Sequence, residues 1–450
     1  MGKIKLIVKI LIISTLMGTN AFADNYADTF GASPMGIALG NAMTARVNDW
    51  SSVYYNISGL GKTVADQDIV SDGNKEFKNQ LAVSYIYNKP EFDIDIDRET
   101  AALNDLETGT IILGGAIDMN LFYKMPSYIS SSRIGVVLAL NDDLTMVKIN
   151  DIDLRSHNFF RYGRESQTIM IMFGAGFGLF NDMLGFGLGI SQSMGGSGNI
   201  VATDLIISSD PQTPDLQAKF DMEISKNPVM FGAYIRPGYM FPLLQGLDVG
   251  FSYRQESYLY IEKFNMFTVI DVGNIEMEIV AGMFDFYQPP TFTTGFSYAT
   301  GNLILSLDLE VRQWSEYKVS KYMKERYANN LPELDDVIIP KLGVQLKINE
   351  AMDLLMGYYF EKSCVPDSSS EGIFNLLDND KHVGSFGIKY RMPKLSFLSG
   401  MKGPVDLTAS FQYQKLVERD IDKTAPTAAN PDYTYGGECY TFMAGFVYNL

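Results

Sequence analysis

The chain is short of the residues that build reactive centres. Its 450 residues include only two cysteines, Cys364 and Cys439, and two histidines, His157 and His382. These are too scattered for a zinc or redox cluster, so no metal and no cofactor is expected. Neither histidine has a nucleophile motif around it: His157 only follows Ser156. A Ser-His-acid mechanism therefore lacks its parts, and the chain does not read as an enzyme. Basic residues are also scarce, 36 Lys and Arg against 53 Asp and Glu, for a net charge of −17. That removes nucleic acid as a partner, because phosphate binding needs basic patches. Long apolar runs are missing beyond Ala23, whereas a helical bilayer span needs roughly 20 such residues. Apolar residues nevertheless make up 46% of the chain, so their order carries the information.

The first residues are ordered as a secretory signal. Lys3, Lys5 and Lys9 accompany an apolar run at 10–17, followed by the small-residue site Ala21-Phe22-Ala23. This arrangement predicts a signal peptide over 1–23, cleaved after Ala23. No cysteine lies near that site, which argues against a lipoprotein.

Further on, apolar and polar residues alternate. In LILSLDLEVRQW, Leu303, Leu305, Leu307, Leu309 and Val311 oppose Ser306, Asp308, Glu310 and Arg312, the two-residue period of a strand. LDVGFSYRQE, KLGVQLKI and VDLTASFQYQ repeat the pattern. A soluble sandwich also has wet and dry faces, but these strands run to about 10 residues, the length of a tilted bilayer crossing. Aromatic residues such as Tyr358, Tyr390, Tyr413 and Tyr448 stand near strand ends, where an interfacial girdle would put them. The expectation is all-β: a 14-stranded antiparallel transmembrane barrel over 80–450, with its sixth strand starting near Gln217 and its eighth near Ile275. Tight turns such as Asn181-Asp182 and Asn349-Glu350 alternate with long polar loops. If the short turns are periplasmic, both termini are periplasmic in a bacterial outer membrane. Residues 24–79 then start on the periplasmic side and can fill the lumen as a hatch, which side chains alone may leave open in a barrel of this size.

The stretch GNAMTARVNDWSSVYYNISGL, 40–60, resembles the N-terminal hatch of the FadL-type outer-membrane transporters of long-chain fatty acids and other hydrophobic compounds. Asn48, Asp49, Tyr55, Asn56, Gly59 and Leu60 match that pattern, while Ile57 and Ser58 replace its Pro-Ala. Residues 288–317 resemble the family's Pro-containing hairpin ending in Trp-Ser. Residues 357–390 resemble its Lys-Ser-Pro-Val-Pro-Asp loop, with Cys364 at the first Pro, Leu377 at the second Pro further on and Lys381 at an Arg. The closing FMAGFVYNL is similar too, with Leu450 at the terminal aromatic. The resemblance implies passive uptake of hydrophobic molecules, gated by the hatch, with lateral release through a gap in the wall. It also implies a monomer whose partners are a hydrophobic small molecule and the surrounding lipid and lipopolysaccharide. A branch of the same fold family acts as a partner in protein secretion, which is the alternative.

Such a gap could lie in RIGVVLALND, at Gly135 or at Asn141-Asp142, because Gly and Asn weaken strands; a strand that simply ends there reads the same. A carboxylated lipid would need an inward cation, and parity turns Arg236, Arg254 and Arg312 inward. Arg312 shares its face with Glu310 and Asp308, so lumen ion pairs are the plainer reading. Leu355, Tyr359 and Met443 are candidate pocket linings or hatch contacts. Asp93, Asp95 and Asp97 could share a divalent cation with lipopolysaccharide phosphates, although their spacing lacks the Gly turn of a calcium loop and suits a solvated loop. A disulfide between Cys364 and Cys439 would have to join strands that are not neighbours.

Overall fold

The computed structural model describes residues 26–63, 79–96, 99–100, 107–141, 157–159, 161–162, 169–205, 215–224, 228–259, 264–270, 277–281, 286–317, 331–372, 374–392, 403–427 and 430–450. The wall strands are β1 Gln80–Ile96, β2 Thr108–Asp118, β3 Ile129–Asn141, β4 Ile169–Leu179, β5 Leu184–Leu205, β6 Val229–Ile235 and β7 Leu247–Arg254. They continue as β8 Thr291–Thr300, β9 Leu303–Arg312, β10 Val337–Lys347, β11 Met352–Glu361, β12 Lys381–Met392, β13 Val405–Ile421 and β14 Tyr433–Asn449. Each pairs antiparallel with the next, and β14 returns to β1 from Gln80↔Asn449 to Ile96↔Tyr433. The result is a closed barrel of 14 antiparallel strands, which leaves no sheet edge unpaired.

Burial along the strands is inverted relative to a soluble sheet. On β9, Leu305, Leu307 and Leu309 are 43–48% exposed on the outer face, while Ser306, Asp308, Glu310 and Arg312 are buried inside. That is the alternation of a wall with lipid outside and a polar lumen within. No helix among the described residues is long and apolar enough to cross a membrane.

Two expected strands are not in the wall. Asp215–Ile224, expected as the sixth, pairs with the far half of β5 at Met194↔Ile224 to Thr203↔Asp215; the sixth wall strand starts at Val229. The segment near Ile275, expected as the eighth, contributes Met277–Ala281 to a hairpin with Phe264–Ile270, and the eighth wall strand starts at Thr291. Alternation marks a strand wherever it pairs, inside or beyond the membrane. β5 is 22 residues long, and this outward extension supplies the extra pairing.

Residues 26–63 fold as short pieces: α1 Tyr26–Thr29, α2 Pro34–Ala38, α3 Ser52–Tyr55 and a 3₁₀ turn Ile57–Gly61. They touch the wall on every side. Trp50 N donates to Gln80 of β1, Leu60 O accepts from Arg133 of β3, Thr44 N donates to Asp308 of β9, and Ser385 of β12 donates to Ala38 O. A segment in contact with all sides of a closed barrel occupies its lumen. At the long-loop end, Leu376–Leu377 pairs with Asn158–Phe159 and closes over the top.

Candidate functional site

The plug meets two different walls. On β4, β5 and β6 the positions facing it are glycines, among them Gly176, Gly187 and Gly232, and the 3₁₀ turn Ile57–Gly61 lies against them. A Cβ on Gly176 would stand 2.6 Å from the Ile57 carbonyl oxygen and 2.8 Å from Gly61 N; one on Gly187 would stand 2.7 Å from the Ile57 carbonyl carbon. Only glycine permits so close a backbone approach. The Ile57 side chain ends between Gly174 and Gly189, filling the groove. Asn56 caps the turn: its Oδ1 accepts from Ser58 N at 3.2 Å and from Ser58 Oγ at 2.7 Å. Its Nδ2 donates to Thr44 O at 2.8 Å and, across to the wall, to Ala233 O at 3.2 Å. A buried amide is thus satisfied on both sides.

Beside this groove, Arg133 of β3 is 1% exposed and grips the plug through its backbone. Nε donates to Leu60 O at 2.9 Å, and Nη2 donates to Asn48 O at 2.6 Å and to Gly59 O and Lys62 O at 3.1 Å each. A guanidinium suits this because its donors are fixed in one plane and charged. At the last described residues of the plug, Lys62 pairs with Asp248 at 3.1 Å, and Thr63 N and Oγ1 donate to Asp182 at 3.0 and 2.9 Å. Burial pulls the Lys62 ammonium below its usual pKa, against the opposing pull of Asp248.

Across the lumen glycines again meet the plug backbone, a Cβ on Gly250 of β7 standing 2.4 Å from Thr44 O and one on Gly357 of β11 2.0 Å from Gly40 N, and ionic contacts are added. Asp28 of α1 accepts from Arg254 at 2.6 Å and from the Tyr54 hydroxyl at 2.6 Å, while Arg312 donates to the Asp28 carbonyl at 2.9 Å. Arg254 also lies 4.6 Å over the Tyr54 ring, a cation–π contact. Burial pushes the Asp28 carboxyl upward, but Arg254 and then Arg312 outweigh it and hold its pKa below the usual value. From there a chain of pairs runs through Arg312–Glu310 at 2.7 Å, Lys341–Glu310 at 2.7 Å, Arg312–Glu361 at 3.0 Å and Lys381–Glu361 at 3.1 Å. Arg161, from the segment folded over the long-loop end, joins it through Asp378 at 2.5 Å and through Glu361.

Among the described residues three small cavities line the plug. One of about 20 Å³ is lined by Asp28, Tyr54, Arg254, Glu310, Arg312 and Tyr359. A second, of about 10 Å³, adjoins Met172, Pro228, Met230 and Arg254, and a third, of about 40 Å³, lies by Trp50, Gln80, Lys389 and Asp406. Such spaces suit single waters or a few of them, not an alkyl chain.

No protein-family model matches the chain. Over 454 residues it is 20% identical to alkane uptake protein A of Marinobacter nauticus, covering 96% of this chain and 95% of that one. Among solved structures, a FadL homologue of Pseudomonas aeruginosa aligns with a TM-score of 0.55 at 12% identity, over 93% of this chain and 98% of that one. The TodX monoaromatic hydrocarbon channel, as a deltaS2 mutant, aligns with a TM-score of 0.52 at 11% identity, over 94% and 100%. The chain has the FadL-type barrel fold.

In this FadL-type barrel the residues singled out from the hatch motif lie together on the plug. Asn48 offers its carbonyl to Arg133. Asp49 accepts from Ser51 N at 2.8 Å and Ser51 Oγ at 2.6 Å. Tyr55 donates to Asn41 at 2.8 Å and accepts from Ala32 N at 3.0 Å. Asn56, Ile57, Ser58 and Gly59 form the turn on the glycine wall. Gly135 is paired on both sides, with Ala116 and with Gly174, so the ladder does not break there. Its missing side chain makes room for Val53 and Leu60 of the plug, at 2.5 and 3.0 Å from where a Cβ would be. Asn141 pairs with Thr110, and Asp142 lies outside the described residues.

The candidate pocket residues are not one cluster. Arg236 sits at the short-turn end on Asp182, at 2.5 Å, whereas Arg254 ends β7 at the long-loop side on Asp28. Leu355 and Met443 are buried in the apolar cluster that contains the plug, and Tyr359 belongs to a second one with Trp314, Cys364 and Phe374. Cys364 and Cys439 are both buried and free. Asp93 and Asp95 lie on the exposed far end of β1, and Asp97 lies outside the described residues. Sequence reasoning missed Arg133, Asp28 and the glycine wall. The signals were present: FGAGFGL at 173–179 and GFGLG at 185–189 place glycine at every second position, which marks one face as a docking surface.

Proposed function

We propose that this chain takes up hydrophobic small molecules passively across a bacterial outer membrane, gated by residues 24–79, with the short-turn end and both termini facing the periplasm. One observation carries the reading: a closed wall is filled by a plug, and the cavities described in its lumen measure only about 10 to 40 Å³. A lipophile that passes through these spaces must displace plug or wall. The fold shared with a hydrocarbon channel and the similarity to an alkane uptake protein support this over the protein-secretion role. Charge supports a neutral cargo in particular. Arg254, Arg312, Lys341 and Lys381 each face a carboxylate, so a fatty-acid headgroup would have to compete with Asp28 or its neighbours, while an alkane or arene would not. Lateral release would use the outer end of β3, where Asn141 keeps its β2 partner and, among the described residues, pairing to β4 runs as far as Ala139. Outward apolar residues all round the wall, such as Phe173, Leu307 and Phe442, fit a monomer surrounded by phospholipid and lipopolysaccharide. The test is uptake of a labelled n-alkane and a labelled long-chain fatty acid into proteoliposomes. The alkane should enter faster than into protein-free vesicles and be preferred; rates equal to protein-free vesicles for both would refute the reading.

A further inference from the structure

The described connections at the short-turn end differ between β2 to β7 and β8 to β11. Under β2 to β7 the connections 119–128, 180–183 and 236–246 hold large apolar side chains out of the protein: Phe122 is 58% exposed, Tyr123 69%, Phe180 56%, Phe241 57% and Leu243 95%. Under β8 to β11 the connections are Gly301-Asn302 and 348–351, where Ile348 is the one exposed large hydrophobic residue. The apolar half is not a loop that can fold its side chains away. Met119–Leu121 is a 3₁₀ turn capped by Asp118, which accepts from Asn120 N at 2.9 Å. Pro237–Tyr239 and Pro242–Leu244 are 3₁₀ turns that each begin at proline, which fixes the backbone.

These side chains continue the outward belt of the wall directly above them, Leu113 on β2, Leu188 on β5, Phe231 on β6 and Phe251 on β7. Their charge is also unusual for the chain. Asp182 is buried and Arg236 is held by it, which leaves Lys124 as the fully exposed charge on these connections, in a protein of net charge −17. Aromatic and leucine side chains with a lysine among them match the boundary between acyl chains and headgroups, where rings lie at headgroup level and a lysine reaches phosphate.

We propose that this half-rim is seated in a phospholipid leaflet, so that the barrel is anchored more deeply under β2 to β7 than under β8 to β11. The inference rests on the wall spanning a bilayer and not on the nature of the cargo. It gives this end of the plug a defined setting, since Lys62 and Thr63 meet Asp248 and Asp182 on this same side.

The test uses the full chain in phosphatidylethanolamine–phosphatidylglycerol vesicles. Both native cysteines are buried, so an environment-sensitive thiol dye reports single Phe122→Cys, Leu243→Cys and, as the reference on the other half-rim, Glu350→Cys. Heat-modifiable gel mobility checks that each variant is folded. Dye at Phe122→Cys and Leu243→Cys should be quenched several-fold more by nitroxide phospholipid than dye at Glu350→Cys, and be shielded from aqueous iodide. Equal iodide access at all three positions would overturn the proposal. Shielding from iodide without quenching by the lipid would also overturn it, because a protein surface would then be the occupant.

Discussion

The two sides of the plug share close packing on glycines but differ in how its polar groups are met. Against β4, β5 and β6 it lies backbone to backbone in a glycine groove, with Asn56 and Arg133 meeting its polar groups one by one. Against β7 to β12 it packs as closely on Gly250, Gly295, Gly343, Gly357 and Gly387, and Asp28 adds a chain of buried ion pairs. Close dry packing is lost as soon as the fit is lost. Buried ion pairs come close to breaking even against their desolvation cost, so they fix geometry without adding much stability. On the uptake proposed above, the side where Arg133 holds four plug carbonyls is the anchor and the ionic side is the part that gives way when cargo passes.

The largest effect should come from filling the groove. Gly176→Leu puts a side chain where even a Cβ is 2.6 Å from Ile57 O; the overpacking should cost about 3 kcal/mol or more. The plug is expected to be unseated from an otherwise folded barrel, read as a sharp rise in planar-bilayer conductance with gel heat-modifiability retained. Arg133→Met follows. It strips four plug carbonyls of their donor, and losing such buried charged contacts costs about 3 kcal/mol, although not additively. Conductance should rise, and unchanged conductance would mean that Arg133 does not latch the plug. Asn56→Ala removes the cap and the bridge to Ala233, for about 1–2 kcal/mol, and should give brief, reversible openings in single-channel records. Arg254→Gln should do least to closure, about 1 kcal/mol, since Gln288 and Arg312 still hold Asp28 and its backbone. If Arg254→Gln opens the channel more than Asn56→Ala does, the roles of the two sides are reversed.

Much of the wall was legible in the sequence because membrane strands obey a strict period of two. LILSLDLEVR gave both its faces at once: the leucines point to lipid and Asp308, Glu310 and Arg312 point inward. The same rule misplaced two strands, since Asp215–Ile224 and Met277–Ala281 alternate equally well while pairing beyond the wall. For the site, local motif carried Asn48 to Gly59 onto the plug, but motif cannot say what stands opposite. Gly135 read as a weak point of a strand and is instead the clearance for Val53 and Leu60. Arg254 read as an inward cation with a lumen ion pair as its plainer role, but its partner Asp28 is 226 residues away in sequence and no local motif names it. Contacts between a plug and a wall have no sequence period, and only paired features, such as glycines at every second position, betray them.

The most direct test of the account is to pin the plug to the ionic side. Gly343 of β10 faces Ala42, and a Cβ on Gly343 would lie 3.5 Å from the Ala42 Cβ, within the roughly 3.5–4.5 Å that a disulfide spans; it would also lie 2.8 Å from Leu39 O, so the Gly343→Cys single variant is the control for the shift this needs. The Ala42→Cys/Gly343→Cys protein, oxidised, should fold and insert but take up no n-alkane in proteoliposomes, and reduction should restore the rate. Uptake by the oxidised, fully cross-linked protein at the reduced rate would contradict the claim that the plug must leave this wall for cargo to pass.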